Sequence, residues 1–168
     1  MVGVLFVCMG NICRSPLGEG VFRHLALEAG LKEGRGHDFY CSSAGTAGYH
    51  VGNPPDQRSQ SIARTAGIDI SNQRSQKVTI NDFNDFDYIV AMDINNTKDL
   101  RAICPEHHLH KITLLLDYSH NQNPKEVSDP YYGGDYGFKL CLDLIQEASE
   151  GLLTRVLADH FPNSKSTT

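Results

Sequence analysis

The chain has 168 residues, with 15 lysines and arginines against 20 aspartates and glutamates, and its formal net charge is −5. A chain of this length with 40% hydrophobic residues can bury one sizeable core without disulfides or a structural metal, as a single globular domain does. The acidic balance argues against a general nucleic-acid binder, because such proteins need clustered positive charge to displace counterions from phosphates.

The first part of the chain places a strand pattern before a helix pattern. The run from Val2 to Val7 is almost wholly apolar, as expected for a central strand of a parallel sheet. A helix follows, and we predict Ser15 as its N-cap and Pro16 as its first residue. Its apolar positions recur at helical spacing and are Leu17, Val21, Leu25 and Ala29.

The same alternation continues to the end of the chain. Strands are predicted over residues 39–44, 88–91 and 111–115, and helices over residues 56–66 and 95–103. A long closing helix is predicted from the apolar stripe Tyr136, Leu140, Leu144, Ala148, Leu152 and Val156. The pattern predicts an α/β fold: a single doubly wound domain over residues 1–161, with a four-stranded parallel sheet flanked by helices on both faces, and a disordered tail over residues 162–168.

The length of the apolar runs and the number of cysteines predict the cellular compartment of the protein. The longest apolar run, from Val2 to Val7, is much too short to span a bilayer, and no basic leader stands beside it. Five cysteines, an odd number in a chain of ordinary size, do not resemble the disulfide framework of a secreted protein. We therefore expect a cytoplasmic protein with reduced thiols.

The segment Cys8-Met9-Gly10-Asn11-Ile12-Cys13-Arg14-Ser15-Pro16 carries the strongest chemical signal. It places a thiol at the carboxyl end of a strand, then a turn, then an arginine at the start of a helix. Successive N–H groups in such a turn, together with the positive end of the helix dipole, form an anion cradle. Gly10 would permit a backbone angle that is closed to other residues, and Asn11 would tolerate a left-handed conformation while its amide ties the loop into one shape. A strand-loop-helix junction is also the usual ligand position of an open α/β sheet.

Three side chains of this segment suit phosphoryl chemistry. The planar guanidinium of Arg14 matches two phosphate oxygens at once. The same positive field favours the thiolate form of Cys8, which would make it a nucleophile, and the Ser15 hydroxyl would stabilise that thiolate. The alternative is a buried cysteine that ends a strand and an ordinary surface arginine. The agreement between motif and context favours the catalytic interpretation.

The segment from Val7 to Pro16 resembles the signature of the low-molecular-weight protein tyrosine phosphatases. Further similar segments are Ser43-Ala44-Gly45-Thr46 with Tyr49, Gly52-Asn53-Pro54-Pro55-Asp56, Met92-Asp93 and Asp129-Pro130-Tyr131-Tyr132. The resemblance implies a phosphatase that hydrolyses phosphotyrosine through a cysteinyl-phosphate. Cys8 would be the nucleophile, Arg14 the phosphate ligand and Asp129 the general acid and base. It implies no cofactor and no metal, tyrosine-phosphorylated proteins as partners, and inorganic phosphate as product.

The resemblance also assigns binding and supporting residues. The phosphate-binding loop would comprise Met9, Gly10, Asn11, Ile12, Cys13 and Ser15, and the walls for a phenyl ester would be Tyr49, Tyr131 and Tyr132. Ordinary surface tyrosines are the alternative for these walls. Ser43 and Asp93 would support the site. The family histidine that holds Asn11 has no counterpart between Gly67 and Arg74, where Asn72 or Gln73 takes its place.

The family precedent also favours a reversible disulfide between Cys8 and Cys13, which would block the nucleophile and protect it from over-oxidation. A buried spectator thiol is the alternative for Cys13. The other cysteines, Cys41, Cys104 and Cys141, are predicted to be core residues.

Two polar clusters are not assigned a function. The histidines His107, His108 and His110 are predicted to lie in a solvated loop, because no cysteine pair with zinc-ligand spacing is nearby. The run around Asp82, Asp85 and Asp87 is predicted to be a loop anchored by Phe83 and Phe86.

Competing functions stay open at this point. A protein arginine phosphatase on the same fold typically carries threonine where this chain has Ile12, so Ile12 favours tyrosine. An arsenate reductase needs a further cysteine pair as a relay, which Cys104 and Cys141 do not obviously provide. A non-catalytic phosphate-binding module would need neither nucleophile nor acid. Nothing in the sequence demands more than a monomer.

Overall fold

A four-stranded parallel sheet forms the centre of the computed structural model, which describes residues 1–121 and 123–163. The strands are β1 (Val2–Cys8), β2 (Phe39–Gly45), β3 (Tyr88–Ala91) and β4 (Ile112–Leu114). Their order is β2-β1-β3-β4, and every neighbouring pair is parallel. The predicted α/β architecture is confirmed.

Helices cover both faces of the sheet, and β1 is buried along its whole length. Val4 and Phe6 belong to the core on one face, whereas Leu5 and Val7 belong to the core on the other, because successive strand residues point to opposite faces. The first core is completed by α1 (Arg14–Glu28), α2 (Gln57–Thr65) and α5 (Gly134–His160). The second is completed by α3 (Ile80–Asp85) and α4 (Ile94–Ile103).

The sheet order creates a ligand position beside β1. From β1 the chain crosses to β2 on one side, and it later returns to β3 on the other side. The loops that follow β1 and β3 therefore separate in opposite directions, which leaves a crevice at their carboxyl ends. Cys8 ends β1, and Asp93 follows β3 after Met92.

Two local predictions are wrong. The helix α1 begins at Arg14 with Cys13 as its N-cap, so Ser15 lies in the first turn rather than at the cap. Residues Ile80–Asp85 form α3 instead of the predicted loop. The Asp82 carboxylate accepts a hydrogen bond from the Thr79 N–H at 2.7 Å, which caps this short helix.

The closing helix is longer than predicted, and its first turns bury a different face. Tyr136 is 78% exposed and Leu140 is 45% exposed, although both belong to the predicted apolar stripe. The buried residues there are Phe138, Cys141 and Leu142. The reason is that α5 packs against two helices, α1 and α2. The stripe expected for packing against a single helix therefore does not match the residues that are buried.

The remaining expectations have mixed outcomes. The histidine cluster lies in a short 3₁₀ helix, Glu106–Lys111, rather than a loop. Cys41 and Cys141 are buried as predicted, but Cys104 is half-buried directly after α4. Within residues 1–121 and 123–163, no helix is long and apolar enough to cross a membrane. Most of the predicted tail, residues 164–168, lies outside the described part of the chain.

Candidate active site

The Cys8 thiol is enclosed by hydrogen-bonding groups of the loop that follows it. The Asn11 N–H donates to Cys8 Sγ at 3.3 Å, and Ser15 Oγ lies 3.0 Å from the same sulfur. Cys8 is only 2% exposed. The arrangement suits a thiolate, because both the Asn11 amide and the Ser15 hydroxyl can donate to it.

Asn11 determines the shape of this loop. Its φ of 54° lies in the left-handed region, where asparagine is tolerated better than most residues. The left-handed conformation expected to be tolerated at Asn11 is thus confirmed, whereas Gly10 does not use the angle that glycine permits, since its φ is not positive. The absence of a side chain at Gly10 makes room for His50, because a Cβ atom at this position would lie 3.1 Å from Cδ2 of His50.

A chain of hydrogen bonds leads from Asn11 to the sulfur. Asn11 Oδ1 accepts from the Gln76 N–H at 2.9 Å, which identifies the NH₂ end of the amide. That NH₂ donates to Ser43 Oγ at 2.9 Å and to Ser15 Oγ at 2.8 Å. Ser15 therefore has its own proton left to donate, and Cys8 Sγ at 3.0 Å is closer than the Ala44 carbonyl at 3.5 Å.

Ser43, which binds Asn11, is contacted in turn by Glu19 and Gln73. Ser43 donates to the carboxylate of Glu19 at 2.7 Å, which leaves the Ser43 oxygen free to accept from Asn11. Gln73 Oε1 lies 3.5 Å from Ser43 Oγ, and its amide NH₂ donates to the Pro16 carbonyl at 3.1 Å. Asn72 is exposed, so Gln73 is the residue that faces the site.

Arg14 is buried and held by two partners from other segments. Its NH1 donates to Asp93 Oδ2 at 2.5 Å and to the Val127 carbonyl at 3.0 Å. Burial alone would lower the pKa of Arg14, but the neighbouring Cys8 and Asp93 raise it above its usual value. The guanidinium therefore stays charged beside the thiol.

Asp129 faces Arg14 from the loop before α5. Its Oδ2 lies 3.6 Å from Arg14 NH2, and its Oδ1 accepts from the Tyr131 N–H at 3.0 Å. The carboxylate is 42% exposed, in contrast to Arg14 at 3%. Asp129 is thus reachable by water and by a ligand above the thiol.

These residues line one cavity of about 260 Å³. Its wall consists of Cys8, Met9, Gly10, Ile12, Cys13, Arg14, His50, Asp129, Tyr131 and Tyr132. Asn11 and Ser15 lie beneath the wall, both at most 2% exposed. Tyr49 is 83% exposed and is not part of the lining, so its predicted role as a wall rests on the family resemblance alone.

His50 is the lining residue that sequence reasoning missed. The only available signal was its position next to Tyr49 in a loop with family resemblance. Glu19 was missed as well, because a glutamate in the second turn of a helix is ordinarily a surface residue. Its contact with Ser43 depends on the packing of α1 against β2.

Burial holds two thiols near the cavity in their neutral form. Burial, and then the nearby Asp56 carboxylate, raises the pKa of Cys13 to about 12. Burial likewise raises the pKa of Cys141 to about 12, although this thiol belongs to the same buried cluster as Cys8. Both are neutral thiols at physiological pH, which makes them poor first nucleophiles.

No group of three side chains in the described ranges, residues 1–121 and 123–163, could hold a metal ion. In the histidine cluster, the rings of His107 and His108 are in contact at a tilt of 47°, with centroids 4.0 Å apart. His108 also pairs with Asn84 at 2.7 Å.

Comparisons with known proteins agree with this geometry. The family model for low molecular weight phosphotyrosine protein phosphatases matches residues 3–161. The low molecular weight protein-tyrosine-phosphatase YfkJ of Bacillus subtilis is 42% identical over 156 residues, which cover 93% of this chain and 96% of YfkJ.

Solved structures are similar over nearly the whole chain. A protein tyrosine phosphatase from Entamoeba histolytica aligns with a TM-score of 0.88 and 36% identity, covering 95% of this chain and 99% of that one. DARP, a drosophila arginine phosphatase, aligns with a TM-score of 0.82 and 34% identity, covering 92% and 97%. Because the family model matches nearly the whole chain and YfkJ is 42% identical to it, this chain belongs to the low-molecular-weight phosphotyrosine protein phosphatase family.

Proposed function

We propose that this protein hydrolyses phosphotyrosine in phosphorylated proteins, with Cys8, Arg14 and Asp129 as its catalytic residues. The observation that carries the proposal is the convergence of these three side chains on one cavity with tyrosines at its wall. A pure phosphate-binding module would require the arginine and the loop amides, but neither a nucleophile nor an acid.

In the first step, the Cys8 thiolate attacks phosphorus and the bond from phosphorus to the tyrosine oxygen breaks. Asp129 gives its proton to the departing oxygen. Because Oδ1 of Asp129 is occupied by the Tyr131 N–H, Oδ2 is the oxygen that carries this proton. Arg14 uses NH1 for Asp93 and Val127, which leaves its other nitrogens for the phosphate oxygens.

In the second step, water attacks the cysteinyl-phosphate and Asp129 accepts a proton from that water. The bond between sulfur and phosphorus breaks, and inorganic phosphate leaves. Ser15 stabilises the returning Cys8 thiolate by donating a hydrogen bond from its hydroxyl group. This direction is supported by the hydrogen bond that the Ser15 oxygen accepts from Asn11. The residues present supply each group that the two steps require.

The walls favour an aromatic ester. Tyr131 and Tyr132 lie edge to face with centroids 4.9 Å apart, and both line the cavity. Ile12 adds an apolar contact on the opposite loop. A phenyl ring gains from such surfaces, whereas phosphoserine is too short to reach them. We assign Tyr49 to this aromatic surface on the family resemblance, with its ring exposed to solvent.

The test is phosphate release from phosphotyrosine, phosphoserine and phosphoarginine peptides under reducing, metal-free conditions. We expect rapid turnover of phosphotyrosine alone, abolished by Cys8→Ser. Turnover of phosphoarginine would instead support the activity named for DARP and would show that Ile12 does not select against it. Absence of any Cys8-dependent turnover would contradict the proposed function, and arsenate reduction would be tested next.

Regulation by oxidation is a further part of the proposal. The Cys8 thiolate would attack hydrogen peroxide, breaking the O–O bond to give a sulfenic acid and hydroxide, and the Cys13 thiol would then displace water from that sulfenic acid to form the disulfide. The raised pKa of Cys13 supports this order, because its thiol is protonated and Cys8 reacts first. Both cysteines line the same cavity.

We also propose that the protein acts in the cytoplasm as a monomer. A nucleophilic thiol must stay reduced to function, which favours a reducing compartment. Every group assigned above to the reaction comes from one chain, so a second subunit is not required for the chemistry.

A further inference from the structure

The loop that carries Asp129 has two anchors on its flanks. Most of residues 128–133 are exposed, and Pro130 is their buried member. Before Asp129, the Val127 carbonyl accepts a hydrogen bond from Arg14. After it, the Tyr131 carbonyl accepts one from Arg58 NH1 at 2.9 Å. Asp129 therefore lies two residues from each anchor, and each anchor is an arginine.

Arg58 is itself rigidly held. Its Nε and NH2 donate to the two carboxylate oxygens of Asp56, at 3.0 and 2.9 Å. Its guanidinium carbon lies 4.6 Å from the ring centroid of Phe138 and 5.2 Å from that of Tyr131. Because Phe138 is buried in α5, Arg58 is fixed between a carboxylate and a rigid aromatic floor.

Asp56 connects Arg58 to the loop of the nucleophile. The Asp56 N–H donates to the Ile12 carbonyl at 2.8 Å. The Asp56 carboxylate also caps α2 by accepting from the Arg58 N–H at 2.8 Å. A continuous series of contacts thus runs from Ile12 through Asp56 and Arg58 to the acid loop.

Tyr131 completes the series. Its carbonyl is held by Arg58, and its N–H donates to Asp129 Oδ1 at 3.0 Å. A shift of the Tyr131 backbone would therefore move the partner that orients the Asp129 carboxylate. Such a shift would change the distance from the acid to the leaving oxygen, and proton transfer depends steeply on that geometry.

We propose that Arg58 is a positioning residue for the general acid. Acting through Tyr131, it holds the Asp129 carboxylate at a fixed position relative to the loop of Cys8. The inference rests on the proposed function. It predicts that loss of Arg58 impairs protonation of the leaving group more than binding of the phosphate, which Arg14 and the loop amides carry out.

Two substrates separate these effects. Phenyl phosphate releases a phenolate which, like that of tyrosine with a pKa of about 10, needs a proton to leave. The phenolate of p-nitrophenyl phosphate is stabilised by its nitro group and leaves without help. The ratio kcat/KM reports the steps up to formation of the cysteinyl-phosphate, where the leaving group departs.

The experiment measures kcat/KM of Arg58→Met with both substrates. We expect a loss of about tenfold with phenyl phosphate and of less than about twofold with p-nitrophenyl phosphate. The matched control is Arg155→Met, which removes an arginine paired with Asp159 near the end of α5 and should change neither value. If Arg58→Met does not fold, Arg58→Lys takes its place, because lysine cannot form the planar fork to Asp56.

A double-mutant cycle tests whether Arg58 acts through Asp129. In an Asp129→Asn background, Arg58→Met should cause no further loss with phenyl phosphate. Equal losses with both substrates, unchanged rates, or full additivity with Asp129→Asn would overturn the inference while the proposed function stands. A wild-type protein without Cys8-dependent hydrolysis would overturn both.

Discussion

Asp93 and Arg14 join the two loops that leave neighbouring strands of the sheet. Asp93 Oδ2 accepts from Arg14 NH1 at 2.5 Å, and the same carboxylate caps α4 by accepting from the Asn96 N–H at 2.7 Å. A helix cap after β3 thus orients the buried arginine that follows β1, to which we assign the binding of phosphate.

Replacing Asp93 with asparagine separates these two roles. Asparagine is as good an N-cap as aspartate, so α4 should remain intact, but the charged partner of Arg14 is lost. We expect kcat/KM for phosphotyrosine to fall about tenfold, the equivalent of one charge-assisted hydrogen bond. The control is Asp99→Asn on the exposed face of α4, which should leave kcat/KM unchanged. An Asp93→Asn protein with wild-type kinetics would contradict the role assigned to this pair.

Asn11 combines a backbone role with a hydrogen-bonding role, and two variants divide them. Asn11→Ala loses the left-handed preference and the buried hydrogen bonds, so we expect the free energy of unfolding to fall by about 2–3 kcal/mol. Asn11→Gly keeps the backbone angle and should recover about 1 kcal/mol of this loss, without recovering activity. Urea denaturation and phosphotyrosine kinetics measure the two effects. Equal stability of the two variants would show that φ at this position is unimportant.

Ser149 is predicted to be a site of easy stabilisation. Its hydroxyl oxygen is buried in α5 without a hydrogen-bond partner. Ser149→Ala should raise the free energy of unfolding by about 1 kcal/mol, because it removes an unsatisfied polar atom and introduces a better helix former. The matched variant is Ser59→Ala, whose buried hydroxyl does donate to the Cys13 carbonyl at 3.4 Å and which should lose stability. Thermal denaturation of both proteins provides the comparison, and a destabilised Ser149→Ala would refute the prediction.

Buried thiols should make the protein sensitive to alkali. The pKa of Cys13 and that of Cys141 are each raised from 9.0 to about 12 by burial. Since the unfolded chain loses these protons at lower pH than the folded one, the stabilisation is complete below pH 9 and is lost as pH rises towards 12. Each thiol contributes a slope of at most about 1.4 kcal/mol per pH unit.

The measurement compares the free energy of unfolding of wild type and Cys141→Val, determined by urea denaturation from neutral pH to about pH 11. This range extends into the interval in which the raised thiol pKa values lower stability. Above pH 9, the ordinary pKa of a thiol, the free energy of unfolding of the variant should fall less steeply with pH than that of wild type. Cys104→Ala is the control, because Cys104 is only half-buried and should affect the slope little. Identical slopes for wild type and Cys141→Val would contradict the assignment.

The sheet and the nucleophile loop could be predicted because their signals are local. An apolar run such as Val2–Val7 can be satisfied only by burial on both faces, and the residues from Cys8 to Arg14 are consecutive, so the chain itself brings thiol and guanidinium together. Asp129 is different. It is 115 residues from Arg14, and its assignment from sequence depended on the family resemblance rather than on any local rule.

Sequence alone predicted the four strands and the helices α1, α2, α4 and α5, but not α3. It also placed a thiol, a turn and an arginine in one loop, because periodicity and neighbouring residue types can be read directly from the chain. Only the tertiary structure decided that Asn11 takes the left-handed angle and Gly10 does not, that Cys13 rather than Ser15 is the N-cap of α1, and that His50 enters the cavity. It also brought Glu19 to Ser43 and Arg58 to Tyr131. These pairings depend on the distances between segments remote in sequence, and those distances are set by how helices pack on the sheet.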